Sequence, residues 1–586
     1  MAVRIPSISF YLAATEHSVP ETIVCLLGCS LIALLIRWAL LPKPLPGIPY
    51  NKEALNRVSG DVPELKASSG VRAFMRAQFL KHNSPIVQVF MSPISKPWVL
   101  IGDFREAHDI ATSRSNEFDK SKLTSDSFKG IVPQSFVSYK ADHPVYKHSK
   151  DLLRDLMTPS FFRNVSAPET YRNILFLVEL WEVKLQLGGD RAFGAARDFY
   201  KAILDVFMGV TFDRLSTDTL ITRQIENLRH QLGRGGFPSS TNQQEPVMFE
   251  DLPLPSDLEA VVYLVESINV GFQSPVPRIS HWLYLHKPHS LQMTRLKRAL
   301  IRKKVQEGIA RLGRVGEKEP TLISALDAML LREKASAEKV GIEPDFYGEA
   351  IHDELFTFIA GGHDNSASLC TWWVKFMTRY QSTQAQLRQS LRSAHSTAVS
   401  ERRLPTVYEI LDTRVHFLDA VIDETIRCSH IVPVTAREAL VDTQILGRSI
   451  PKGTHVYLLS NGPSFLLPAL DVDERLRTET ARATKKRYGV WDPLTIAEFM
   501  PERWLKFDGD ELVYNPLAGP QMAFGDGPRG CFGRKMVYLE MRIVMTLLTW
   551  SFEFLELGED LNTFETTESS TENPQDCNIK LRKINY

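Results

Sequence analysis

The sequence predicts a mainly α-helical domain with a minor β part, carried behind one amino-terminal transmembrane helix. Three observations predict this. An uncharged apolar run occupies Ile23–Ile36. Helical periodicity is strong at Asn173–Leu187, Leu258–Phe272, Leu291–Leu312 and Tyr347–Tyr380. β-rich character is confined to short runs, the clearest of them within Pro85–Gly102.

Taken in chain order, Thr22–Leu41 comes first. A helix needs about 20 apolar residues to cross a bilayer, and this stretch reaches that length, with Arg37 placed to snorkel and Trp38 suited to the interface. Glu16 and Glu21 precede it and no small-residue cleavage site follows, which weighs against a cleaved signal. Pro42, Pro44, Pro46 and Pro49 then end the helix and stiffen the exit. Arg4 is the only Lys or Arg before the span, whereas Arg37, Lys43 and Lys52 lie at or after its end. The positive-inside rule therefore places the rest of the chain in the cytosol. The expected segments are a luminal stretch over 1–21, an anchor over 22–41, a proline-rich hinge over 42–50 and one domain over 51–586.

Within that domain, Pro85–Gly102 reads as a hairpin, and the pattern from about Tyr146 onward is mostly helical. Gly233–Pro246 has loop chemistry. Asp471–Lys486 is charged and lacks an apolar stripe, so it reads as a surface insertion. No internal repeat is present. The 69 basic residues balance 69 acidic ones, which removes the basic footprint of a nucleic-acid binder. Hydrophobic residues at 44% and charged residues at 24% exclude a disordered chain. The six cysteines form no CxxC pair, so neither a disulfide scaffold nor a paired-cysteine zinc module is expected.

One cysteine decides the chemistry. Phe524–Gly533 reads FGDGPRGCFG, so Phe524, Gly527, Arg529, Cys531 and Gly533 form FxxGxRxCxG. Five fixed identities arise by chance in a chain this long with odds on the order of 1 in 10⁴. A lone thiolate can serve as an axial haem ligand, provided backbone N–H groups are aimed at the sulfur. Gly527 and Gly533 permit the tight loop that this requires. Arg529 can bind a haem propionate through charge-assisted hydrogen bonds. The following stretch, KMVYLEMRIVMTLLTW, is strongly helical, which puts the sulfur near a helix start that favours its anion.

The motif resembles that of the cytochrome P450 family, and further motifs in the same order extend the resemblance over essentially the whole chain after the anchor. Glu424–Arg427 gives ExxR, and Phe499–Trp504 supplies a PERF-like segment with Arg503. The resemblance makes Glu424, Arg427 and Arg503 a structural triad supporting the haem pocket. Gly361, Gly362, Asp364 and Ser366 match the family's distal helix, where two adjacent glycines let the helix bulge beside a ligand. Asn365 departs from the family's Thr. Asp364, Asn365 and Ser366 are the candidates for oxygen activation and proton delivery. Arg437 matches a propionate-binding Arg, and Lys150 stands where the family often has an Arg against the haem. Tyr146 takes the place of the family's Trp there, and Lys122–His143 falls where the family covers the substrate.

The fold implied is that of a cytochrome P450, with haem b as cofactor. The implied activity is an O₂-dependent monooxygenase that hydroxylates or epoxidises an apolar small molecule, in the manner of fungal members that tailor secondary metabolites. No glycine-type flavin or nicotinamide fingerprint is present, so the electrons come from outside the chain, and the resemblance implies NADPH and a partner flavoprotein reductase as their source. Lys147, Lys150, Arg154, Arg534 and Lys535 form the candidate docking patch. The implied location is the endoplasmic reticulum membrane, with the catalytic domain in the cytosol and no nucleic-acid partner. Asn365 keeps open a haem-thiolate rearrangement, dehydration or oxidative coupling without net oxygen insertion, and a non-catalytic haem binder is the third reading.

Overall fold

A computed structural model describes residues 19–93, 95–212, 217–233, 245–314, 323–568 and 571–585. Most of the expected luminal stretch and most of 233–246 lie outside the described residues. Helix α1 spans Val19–Leu40, ending where the prolines begin. Its apolar side chains from Ile23, Val24 and Leu26 through Trp38 stand exposed. Among the described residues no helix is long and apolar enough to cross a membrane, so the expected anchor is not shown.

The β part is small, as the sequence predicts. The hairpin forms from β1 (Ile86–Val89) and β2 (Trp98–Ile101), antiparallel with Ile86 opposite Ile101. These strands join β3 (Phe118–Lys120), β4 (Val434–Ala439) and β5 (His455–Leu459) in one sheet of order β1-β2-β5-β4-β3. The β2/β5 pair is parallel, and the others are antiparallel. The β3/β4 register sets Lys120 opposite Arg437. Near the carboxyl terminus, β6 (Thr566–Glu568) and β7 (Glu572–Pro574) make a second hairpin.

The helices dominate. Asp103 caps α2 (Phe104–Thr112) by accepting from the N–H of Glu106 at 2.9 Å. Then come α3 (Lys122–Lys129) and α4 (Pro144–Leu152). The predicted periodic stretches fall on α5 (Ala167–Gly188), the pair α7 (Ser256–Glu266) and α8 (Ile268–Phe272), α10 (Pro288–Arg314) and α11 (Glu349–Arg379), and α6 (Ala196–Thr211) and α9 (Pro277–Leu285) stand between them. Next are α12 (His416–Ser429), α13 (Glu479–Arg487) and α14 (Arg534–Ser551). Helices α5, α6, α11 and α14 pack around one core in which Trp181, Trp373, Trp550 and Phe199 are buried. Their apolar faces exclude water from each other, which is the main favourable contribution to the fold.

One local expectation is refined and one is corrected. Asp471–Lys486 is largely exposed, as a surface insertion is, yet it is pinned to the domain. Residues 479–487 form α13 against α2, and Arg477 is buried, pairing with Asp103 at 2.7 Å and Glu106 at 3.1 Å. The segment lacks an apolar stripe because a buried ion cluster and a threonine cap, Thr478 on the N–H of Ala481, hold it instead. Helix α11 also shows no bulge at Gly361–Gly362, since it runs as unbroken α-helix through both. A Cβ at Gly362 would collide with the ring of Phe207 on α6, so close helix packing explains that glycine.

Candidate active site

Cys531 lies in a folded loop, three residues before the start of α14. Its N–H donates to the carbonyl of Phe524 at 2.7 Å, and the N–H of Gly530 donates to Gly527 at 3.0 Å. Gly527 has φ of +66° and backs onto the carbonyl of Ala111, so a side chain there is excluded twice over. The Cys531 sulfur accepts from the backbone N–H groups of Gly533 and Arg534. Burial pushes the thiol up, while those N–H groups and the cations Arg534 and Lys150 favour the thiolate. Cys531 is nevertheless an exposed cysteine, open to a ligand, unlike the buried Cys370, Cys428 and Cys577.

A cationic cluster surrounds this loop. Arg529 donates to Asp119 at 2.6 Å and to the carbonyl of Tyr139 at 2.9 Å, and its guanidinium covers the Tyr146 ring at 4.5 Å. Burial works to raise Asp119, yet the Arg529 hydrogen bond and the Ala141 N–H hold it below the usual carboxylate range. Arg437 is 5% exposed, and its Nη2 is buried with no hydrogen-bond partner. Burial lowers Arg437 to about 10, with Arg529 adding repulsion. Lys120 is driven to about 7 by burial, then by Arg529 and Arg437. Lys150 lies over the rings of Phe532 at 4.0 Å and Phe136 at 5.1 Å, and burial lowers its pKa.

Haem fits these residues on observations of the structure. Like charges directly opposite across strands repel, and Lys120 and Arg437 are held so beside Arg529, with the carboxylates of Asp119 and Asp526 facing Arg437. Two propionates would offset that repulsion and partner the orphaned guanidinium nitrogen. The sulfur, framed by two N–H donors, would serve as the thiolate ligand such a group requires. Gly361 has nothing within 4 Å of where its Cβ would be, so open space borders α11 there.

The three distal candidates have separate attachments. Asp364 accepts from Thr571 of the β6/β7 hairpin at 3.2 Å. Asn365 donates through Nδ2 to the carbonyl of Gly361 at 2.9 Å, leaving its Oδ1 buried without a partner. Ser366 donates to Glu540 of α14 at 2.8 Å, so its hydroxyl is committed to the core. Glu540 itself is fully buried, and burial raises it to about 8. An acid on the apolar face of the predicted final helix is a visible signal for Glu540. Lys120, Asp119 and Thr571 carry no such signal, because distant chain segments bring them to the site.

The predicted triad assembles. Arg427 makes two hydrogen bonds to Glu424, at 2.8 and 2.7 Å, and Arg503 makes a third at 3.0 Å. Trp504 Nε1 at 2.9 Å and the N–H of Met500 at 2.7 Å complete the shell of Glu424. Arg427 also donates to the carbonyls of Phe465, Ile496 and Glu498, so it ties together the meander that precedes the cysteine loop. Of the other motif residues, Phe524 packs on Tyr538 at 5.8 Å and Gly533 lies beside the sulfur.

A cleft of about 620 Å³ opens among α3, α9 and β5, lined by Lys122, Asp126, Pro277, Ile279, Trp282 and His455. Cys531, Arg437 and Asn365 do not line it, so it is a surface cleft apart from the reaction space.

The sequence profile of the family described as cytochrome P450 matches residues 255–462 and 497–580. The chain is 33% identical to the cytochrome P450 monooxygenase TRI13 of Fusarium sporotrichioides, over 96% of this chain and 98% of that protein. It is equally identical to the cytochrome P450 monooxygenase GME11363 of Pestalotiopsis microspora, covering 97% and 99% of the two chains. A crystal structure of a cytochrome P450 superposes with a TM-score of 0.63 at 18% identity, covering 93% of this chain and all of that one, and shows the shared fold. The chain therefore belongs to the cytochrome P450 family and acts as one of its monooxygenases.

Proposed function

We propose that the protein uses haem b, held by Cys531, to oxidise an apolar small molecule, a fungal secondary-metabolite intermediate, with electrons from NADPH through a partner reductase. The single observation that carries this reading is the Cys531 sulfur, open to a ligand, with the N–H groups of Gly533 and Arg534 directed at it. Haem bound there supplies dioxygen binding and oxidising power. Arg437, Arg529 and Lys120 would hold the propionates, and Phe524 and Gly533 shape the loop. Glu424, Arg427 and Arg503 hold the preceding meander in place. Asn365 contributes an acceptor, its free Oδ1, where the family's Thr contributes a hydroxyl. It can order a water but cannot relay a proton as a hydroxyl does. Asp364 is then the acid nearest that water in sequence, and Ser366 acts through Glu540 to secure α11.

The membrane placement rests on α1, whose described side chains are apolar and exposed, and on Ile279, Trp282 and Leu283 of α9, which are exposed beside the cleft. Both suit a lipid surface, so α1 anchors the domain at the endoplasmic reticulum membrane and α9 faces the bilayer. Lys147, Arg154, Arg534 and Lys535 are exposed and form the reductase-docking patch, whereas Lys150 is turned inward against Phe532.

The test is spectroscopic. Reduced protein under carbon monoxide shows the absorption band of thiolate-bound haem, and Cys531→Ser loses it while retaining the folded-state circular dichroism. An unchanged band in Cys531→Ser defeats the assignment. Asn365 favours a second reading, oxidation without net oxygen insertion, and turnover under ¹⁸O₂ separates the two by whether the product carries label.

A further inference from the structure

Asp364 precedes Asn365 on α11, and a helix backbone alone does not fix where a carboxylate points. A group that holds it comes from the far end of the chain. Thr571 is 2% exposed, and its hydroxyl donates to Asp364 Oδ2 at 3.2 Å. Asn573 Nδ2 donates to the same hydroxyl oxygen at 2.8 Å. An amide N–H can only donate and an ionised carboxylate can only accept, so with Asp364 charged the Thr571 hydroxyl accepts from Asn573 and donates to Asp364. The hairpin bearing both residues is bolted to α11 further along. Trp372 Nε1 donates to the carbonyl of Glu572 at 3.0 Å, and Ser368 Oγ reaches the same oxygen at 3.5 Å. On its other side the N–H of Glu572 donates to Ile431 at 3.0 Å. Shielded from water, hydrogen bonds to a carboxylate are stronger than exposed ones.

We propose that Thr571, oriented by Asn573, is a positioning residue for Asp364, so that the carboxyl-terminal hairpin sets the geometry of proton delivery beside Asn365. This rests on the reading of Asp364 as the proton-delivering acid. The ionised carboxylate is held by a hydroxyl that donates to it, and the hairpin carrying that hydroxyl is hydrogen-bonded to α11 through Trp372 and Ser368.

The experiment uses the haem-loaded, full-length protein with a purified NADPH-dependent reductase and no added organic substrate. Dioxygen taking two electrons and two protons leaves as hydrogen peroxide, and taking four of each leaves as two waters. The share of NADPH electrons recovered as peroxide therefore reports proton delivery. The infrared C–O stretch of the reduced carbon monoxide complex reports distal polarity without turnover. Asp364→Asn, Thr571→Val, Thr571→Ser and Asn573→Leu are compared. Thr571→Val is expected to change the peroxide-to-water ratio on the order of tenfold, as losing a hydrogen bond to a charged group would, and to shift the stretch in the same sense as Asp364→Asn. Thr571→Ser restores both readouts, and Asn573→Leu falls between. Wild-type readouts in Thr571→Val alongside altered ones in Asp364→Asn overturn this inference alone. Wild-type readouts in Asp364→Asn overturn the reading of Asp364 and this inference with it. Should Thr571→Val fail to load haem, Asn573→Leu decides, since unchanged readouts there overturn the proposed polarity.

Discussion

At the scale of single residues, burial is what gives the polar groups of this protein their character. Glu540 has one hydrogen bond, from Ser366, and its Oε1 has none. Its ordinary value of 4.5 rises to about 8 because ionisation would place a charge in the core. The sign follows from linkage. Between those values the folded protein keeps a proton that the unfolded chain has released, so this group's contribution to stability falls as pH rises through that window. Glu540→Gln removes the titration while keeping the size and one hydrogen-bond acceptor. Its melting temperature is expected to gain on that of the wild type from pH 4.5 to about 8, by up to about 1.4 kcal/mol per pH unit in free energy. Parallel melting curves across that range would refute the assignment of a neutral acid. The sequence shows Glu540 as an acid in an apolar stripe, but its partner Ser366 lies 174 positions away and only the fold reveals the bond.

At the scale of elements, the Glu424 triad and α13 teach opposite lessons about legibility. The ExxR pair and the later Arg503 are readable because α-helical geometry brings residues three apart together and because the motif order repeats that of a known family. Their energetics follow from complete satisfaction, since five hydrogen bonds reach one carboxylate. Glu424→Ala strands two buried guanidinium groups and is expected to cost about 3–5 kcal/mol. A loss of that size is comparable with the whole stability of many domains, so the variant should purify with little haem and unfold at clearly lower denaturant. Full haem content with an unshifted denaturation midpoint would show that the triad is dispensable. Residues 471–486, by contrast, are readable as surface, but no sequence signal shows what pins them. They hold their place through Arg477, Asp103 and Glu106, and polar burial leaves no hydrophobic stripe to detect. Burial and the neighbouring Asp103 raise Glu106 to about 7, so this cluster is under electrostatic tension that a surface loop would not show.

At the scale of the whole molecule, the helical core, the Pro85–Gly102 hairpin and the position of the cysteine loop are legible from period, turn chemistry and motif, whereas the five-stranded sheet that the hairpin joins is not. Of the cationic cluster, Arg437, Arg529 and Lys150 are readable from motif position, but Lys120 and Asp119 are not, because β3 and β4 are more than 300 residues apart and only their register sets Lys120 opposite Arg437. The amino-terminal segment is separable in the same sense, since apart from a long contact from Arg37 to the carbonyl of Asn56 no side-chain hydrogen bond is seen from α1 to the domain among the described residues. Removing residues 1–41 is expected to shift the protein from the membrane pellet to the supernatant and leave the carbon monoxide spectrum intact. Retention in the pellet would give the lipid contact to α9, and Trp282→Asp in the shortened protein would then release it. One last feature bears on redesign. Gly361 and Gly362 are neighbours with contrary tolerances, since the first borders free volume and the second is pressed against Phe207. An engineer seeking to reshape the catalytic chamber can enlarge position 361 at little cost to the scaffold, whereas any enlargement at 362 travels outward through α6.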